Sequence, residues 1–264
     1  MGGLSVRGVA VGVAGRTLLA DVDLDVAPGE LLAVVGPNGC GKSTLLRALA
    51  GHAPPLRGTI ALAGRDVRAL APAERARAVT LVGADARALP GTTVAEVVAT
   101  GRYARGAWWS WAPSDGTAGA VAAALAAVDL ADRADRAAET LSSGERRRMW
   151  LALALAQDAR LVLLDEPTAN LDPRHALAAR RTMRAMARGA TSVVVVSHDL
   201  GEAAAIADRI ALLGEGGLLA LDVPERALDP ALLERAYGVA FDRVTVGGRT
   251  HVVARGLPSA VTGA

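Results

Sequence analysis

The sequence is poor in several residue types, and each shortage excludes something. Of its 264 residues one is cysteine, so no disulfide can form within the chain, which suits a reducing compartment. No apolar stretch reaches the roughly 18 residues of a membrane-spanning helix; the longest, Ala120–Val128, stops at Asp129. The first residues carry Arg7, Arg16, Asp21 and Asp23 among glycines, unlike the apolar core of a signal peptide, so a cytoplasmic location is expected. The net charge of +2 is too small to demand a nucleic-acid partner. There are two asparagines, one glutamine and one lysine: Asn38, Asn170, Gln157 and Lys42. Arginine supplies the other side-chain cations, so the retained lysine points to work that a guanidinium cannot do.

That lysine lies in Gly36-Pro37-Asn38-Gly39-Cys40-Gly41-Lys42-Ser43-Thr44, a G-x-x-x-x-G-K-[ST] loop between an apolar strand, Leu31–Val35, and a helix expected over Ser43–Ala50. Glycines let successive amides turn toward the β- and γ-phosphates of ATP, and the helix N-terminus adds its dipole. Lys42 brings a compact ammonium, and Ser43 a hydroxyl ligand for Mg²⁺. Cys40 reads as a small filler. A guanine-reading N-K-x-D motif is impossible, because the one lysine is already used.

Leu161-Val-Leu-Leu-Asp165-Glu166 is a second apolar strand, ending in two carboxylates that strand alternation directs differently. Asp165 suits Mg²⁺, and Glu166 suits polarising the attacking water. Ser192-Val-Val-Val-Val-Ser-His198 repeats the pattern and offers His198 to the γ-phosphate and to Glu166. Further strands are expected at Leu4–Val11, Thr17–Val26, Gly58–Leu62, Val79–Val82 and Arg209–Leu213, with a helix over Pro173–Arg188 and alanine-rich helices from Val94 to Gln157. The alternation of strands and helices implies a largely parallel sheet flanked by helices.

Leu141-Ser142-Ser143-Gly144-Glu145 opens a further helix, with Ser142 as a cap and Gly144 allowing close approach, so it reads as a second anion site. Here the chain resembles the ATPases of ABC transporters, whose LSGGQ signature it matches with Ser143 for a glycine and Glu145 for the glutamine. The resemblance covers nearly the whole chain. It implies an α/β P-loop NTPase fold with a mostly parallel sheet, an N-terminal antiparallel β portion and an inserted helical lobe. The expected division is a core lobe of 1–83 and 157–238, a helical lobe of 84–156 and a short β-like appendix at 239–264. It also implies ATP and Mg²⁺ as cofactors and a head-to-tail dimer, homo- or heteromeric, in which Ser142, Ser143 and Gly144 complete the partner's nucleotide site. Asn170-Leu-Asp172 resembles the D-loop at that interface. Membrane permease subunits and a substrate-binding protein are the implied partners, with no nucleic acid. Gly101-Arg-Tyr103 and the tail Leu232–Gly238 are similar to the ATPases of iron-siderophore, haem and cobalamin importers.

Beyond the signature, two departures from the family pattern matter. Val13 stands where an aromatic ring stacks on adenine, and no aromatic residue precedes Tyr103. Such stacking contributes about 1–2 kcal/mol. The Q-loop glutamine is missing near Ala84, where Asp85 could reach the metal through water; altered coupling or pairing with an unlike ATPase is the expectation. Trp108-Trp-Ser-Trp111 could dock a membrane partner or form the small core of the helical lobe. Arg146-Arg-Arg148 reads as a solvated or phosphate-facing surface. A soluble or regulatory ABC ATPase with weak hydrolysis is the alternative reading.

Overall fold

A computed structural model describes residues 2–83, 86, 88–103, 116–169, 171–246 and 249–255. The Q-loop positions Ala84 and Asp85, the Trp108–Trp111 stretch and Asn170 lie outside them. Among the described residues the centre is a six-stranded sheet in the order β10-β9-β3-β8-β7-β6. Its members are β3 (Leu31–Val35), β6 (Val79–Val82), β7 (Leu161–Asp165), β8 (Ser192–Val196), β9 (Arg209–Gly214) and β10 (Gly217–Asp222). All neighbours run parallel except β10, which turns back antiparallel on β9. A second, antiparallel sheet joins β1 (Leu4–Val13), β2 (Arg16–Val26), β4 (Arg57–Leu62) and the short β5 (Arg65–Asp66) in the order β2-β1-β4-β5.

The runs Leu31–Val35 and Ser192–Val196 are apolar at almost every position because both faces of the parallel sheet are covered. Leu31, Ala33, Val35, Val193 and Val195 pack into one core with the helices α3 (Val94–Thr100), α4 (Thr117–Ala127), α5 (Ser143–Gln157), α6 (Pro173–Met186) and α7 (Leu200–Ile206). Leu32, Val34, Val194 and Val196 enter the other core with α1 (Lys42–Leu49) and the antiparallel sheet. Helix α1 therefore sits between the two sheets, burying Leu45, Leu46 and Leu49. Helix α2 (Pro72–Ala78) leads into β6. The chain between β6 and β7 supplies α3, α4 and α5, which pack on one another.

After β10 the chain forms α8 (Pro224–Ala227), α9 (Pro230–Tyr237) and a hairpin of β11 (Phe241–Val246) and β12 (Arg249–Ala254). Phe241 packs on Tyr237, with ring centroids 5.8 Å apart. Strands β10 and β12 were not anticipated as separate elements. Leu218–Leu221 has no alternating polar pattern, and what makes it a strand is its partner β9.

Candidate active site

Strands β3, β8 and β7 are consecutive in the sheet, so the loops leaving their C-terminal ends converge. The first is the glycine loop. Gly36 has φ of +154°, and a Cβ there would come within 2.5 Å of the Leu213 carbonyl oxygen. Gly41, at +113°, turns the chain directly into α1 against Leu18 and Leu19. No side chain caps this helix and no acidic residue occupies its first turn, which leaves its amide dipoles uncompensated.

Lys42 is almost fully buried, and its Nζ donates to the carbonyls of Gly36 and Pro37, each at 2.8 Å. An ammonium has three donors, so one remains for a ligand. Burial lowers the Lys42 pKa, opposed by Cys40, Glu166 and Asp165. Burial pushes the Cys40 thiol up, against the nearby charge of Lys42, and so disfavours the thiolate. A cleft of about 580 Å³ is lined by Leu18, Asn38, Gly39, Gly41, Lys42, Ser43, Thr44, Glu166 and His198. Val13 ends β1 and is 56% exposed.

Asp165 ends β7, paired in register with Val196 of β8. Burial raises its pKa and the charge of Glu166 adds to this, against the Ser43 hydroxyl and the cations Arg47 and Lys42. Its Oδ1 is buried without a hydrogen-bond partner. A buried carboxylate oxygen with no partner costs free energy unless a cation or donor completes it. The Ser43–Asp165 pair therefore fits a Mg²⁺ ion, whose remaining ligands would be phosphate oxygens and water.

Glu166 lies just beyond β7 and has φ of +51°, a left-handed conformation that costs a non-glycine residue about 1–2 kcal/mol. That turn, rather than the alternation of an extended strand, sends Glu166 away from Asp165. The conformation is held from three sides. The Glu166 amide donates to Val196 O at 3.1 Å; its carbonyl accepts from Arg147 Nη1 at 2.6 Å; its Oε1 lies 2.6 Å from His198 Nε2. The pair is partly open to solvent, as a site for a water nucleophile must be.

Behind this pair is Glu202 of α7, which reading of the sequence missed. Its buried carboxylate accepts from Thr168 Oγ1 at 2.7 Å, Ser197 Oγ at 2.9 Å and Arg180 Nε at 3.1 Å. It thereby ties the segment after Glu166 to the one before His198. A lone glutamate on a short helix gives no signal of this. Tyr237 was likewise missed: its buried hydroxyl lies against the Gly36 backbone, and burial pushes its pKa up to about 12.

The second expected anion site is the N-terminus of α5. Ser142 Oγ accepts from the Glu145 amide and Glu145 Oε2 from the Ser142 amide, a reciprocal capping box. The amides of Ser143 and Gly144 take no part in it, and a Cβ on Gly144 would stand 3.3 Å from Leu171. Asp172 caps α6 through the His175 amide, and its other oxygen lies 2.6 Å from His175 Nδ1. Within the described residues, the loop, Glu166 and His198 line one cleft, and Asp165 adjoins it through the Ser43 hydroxyl; Ser142–Gly144 and Asp172 do not line that cleft.

The arginine triplet, expected as a solvated or phosphate-facing surface, does not act as one surface but splits three ways. Arg146 is exposed and donates to Leu141 O, Arg147 reaches Glu166 O, and Arg148 is buried on the carbonyls of Val128 and Asp129. Helical periodicity separates adjacent side chains by about 100°. Gln157 donates to Ala76 O and Val79 O, a bridge between α5 and the α2–β6 junction.

The ABC transporter family model matches residues 19–169, from β2 through the glycine loop, the signature and the acidic pair. The chain belongs to the ABC transporter family. As an ABC protein it is an ATPase whose hydrolysis is coupled to transport. It is 40% identical over 245 residues to a hemin import ATP-binding protein of Gloeobacter violaceus, covering 89% of this chain and 87% of that one. It is 44% identical over 231 residues to a hemin import ATP-binding protein of Streptomyces coelicolor, covering 87% and 81%. Among solved structures it superposes with a TM-score of 0.83, at 24% identity, on a chain of a transporter assigned to the metal-chelate type, covering 97% and 98%. It also superposes with a TM-score of 0.74, at 28% identity, on a bacterial Atm1-family ABC exporter with ATP bound, covering 86% of this chain and 39% of that one. A transporter of the metal-chelate type and an exporter therefore share this fold. No helix among the described residues is long and apolar enough to cross a membrane.

Proposed function

We propose that the chain powers import of an iron-siderophore, haem or cobalamin-type cargo by hydrolysing ATP at the Gly36–Thr44 loop. The loop amides and the α1 dipole bind the phosphates, and Lys42 neutralises them. Ser43 and Asp165 would hold Mg²⁺, which supplies charge neutralisation at the phosphate oxygens when bound. Glu166 accepts the proton of the attacking water, and His198 holds Glu166 in place and faces the γ-phosphate. The adenine rests on aliphatic surface provided by Leu18 and Val13. In the assembly, Ser142, Ser143, Gly144 and Asp172 face the nucleotide of a second ATPase subunit. The working unit is that dimer on the cytoplasmic face of the membrane, bound to permease subunits and served by a substrate-binding protein.

The observation that carries this reading is the 2.6 Å contact between His198 and a left-handed Glu166 at the mouth of the loop-lined cleft. The cargo class is supported by relatives named for hemin and cobalamin import. Replacing Glu166→Gln keeps the shape and removes the base. Phosphate release should fall by about 100-fold or more while ATP binding persists. Turnover equal to the parent chain would overturn the assignment. Uptake assays with haem, a ferric siderophore and cobalamin then separate the cargoes.

A further inference from the structure

Glu166 holds a backbone conformation that an L-residue adopts only when its surroundings enforce it. The tethers on its amide and its side chain come from Val196 and His198, at the C-terminal end of β8. Its carbonyl also accepts from the Ala169 amide at 3.3 Å, within the same connection. Arg147 is different. It stands one turn into α5, on the helix whose first residues form the capped signature, and crosses to Glu166 O at 2.6 Å. Among the described residues no carboxylate pairs with Arg147, whereas its neighbours Arg146 and Arg148 hold carbonyls of the helical segment itself. The guanidinium is thus committed to the backbone of the carboxylate at the cleft. Nearby, α5 also comes close to the same β7–α6 connection: a Cβ added to Gly144 would stand 3.3 Å from Leu171.

We propose that Arg147 is a positioning residue for Glu166, a strut that makes the placement of the water-polarising carboxylate depend on the placement of the signature helix. A shift of α5 relative to the parallel sheet then pulls on the Glu166 carbonyl. Hydrolysis is fastest only when the signature helix is seated. This rests on the reading of Glu166 as the base. Among the described residues the guanidinium's hydrogen bond goes to Glu166 O and Arg147 does not line the loop cleft, so phosphate binding should not depend on it directly.

The test is steady-state phosphate release by the full chain carrying Arg147→Met, Arg147→Gln or Glu166→Gln, with ATP affinity and melting temperature measured for each. Arg147→Met should lower kcat by about 10- to 100-fold, as expected for a misplaced catalytic group, while KM and ATP affinity stay at parent values and the melting temperature falls by no more than about 2–4 °C. Arg147→Gln retains a donor for the carbonyl and should recover part of the lost kcat. An unchanged kcat in Arg147→Met overturns the strut. So does a loss shared by KM and melting temperature that Gln does not relieve, which would mark a merely structural contact. If Glu166→Gln itself turns over normally, the reading of Glu166 fails and takes the strut with it. If Glu166→Gln is inactive and Arg147→Met is fully active, the strut alone fails.

Discussion

Among the described residues, α1 and α5 both begin at small-residue loops, and their N-termini are finished in opposite ways. Helix α1 begins at a left-handed Gly41 with no side-chain cap and no acid in its first turn, and its lysine is pressed into the loop carbonyls. Helix α5 begins with Ser142 and Glu145 closing on each other's amides, so its dipole already meets a carboxylate. The uncapped end is unstable by itself and invites an anion; the capped end is stable by itself and has a weaker claim on one. A composite nucleotide site built from both would draw most of its phosphate affinity from α1 and use α5 mainly for geometry.

This asymmetry can be broken by experiment. The largest effect is expected at α1: Lys42→Ala removes a charge-assisted donor worth about 1.5–3 kcal/mol, weakening ATP binding roughly 10- to 100-fold by titration calorimetry. Arg146→Ala, beside the α5 end, should leave the affinity of the isolated chain unchanged. If both lose affinity equally, the two ends are not different in kind. Next, Ser142→Ala removes the α5 cap, and its expected cost of about 1 kcal/mol should lower the melting temperature by about 2–4 °C. Glu145→Gln has a smaller effect of opposite sign on activity. Without the carboxylate at α5, turnover should rise about two- to five-fold, matching the 0.3–1 kcal/mol of a charge at a helix end. A fall in turnover would show that the carboxylate serves the site.

The smallest effect is in the pH dependence. The Ser142 amide holds the Glu145 carboxyl below its ordinary pKa, aided by Arg133. A carboxylate with a lowered folded-state pKa stabilises fully above its unfolded value and loses that contribution as the pH falls through the folded one. Urea midpoints should therefore favour the parent over Glu145→Gln at neutral pH, and the gap should close as the pH drops below about 4. A gap that persists in acid would mean that the cap does not depend on the charge.

Much of this was legible in the residues themselves. The strands expected from Leu31, Val79, Leu161, Ser192 and Arg209 appear within a residue or two of their expected bounds, because a parallel strand buried on both faces must be apolar throughout. Helix α6 ends at Met186, two residues short of the expected Arg188. The contact of His198 with Glu166 was also expected, since both end apolar strands. Less visible were features whose partners are far away in sequence. Strand β10 exists through β9, the buried Glu202 through Thr168, Ser197 and Arg180, and the different fates of Arg146, Arg147 and Arg148 through three separate surroundings. The divergence of Asp165 and Glu166 was anticipated for the wrong reason.

The sequence by itself determined the chemistry of the loop, because glycines, one lysine and a serine at fixed spacing dictate a local backbone and a local charge. It also determined which strands are buried, because burial is written in side-chain polarity. Only the tertiary structure decided that β3, β8 and β7 stand side by side, since strand order depends on crossovers that no local pattern encodes. That adjacency brings Lys42, Asp165, Glu166 and His198 to one place. It also fixes the left-handed turn at Glu166, whose cost is met by tethers from Val196, His198 and Arg147, residues distant in the chain and neighbours only in the fold.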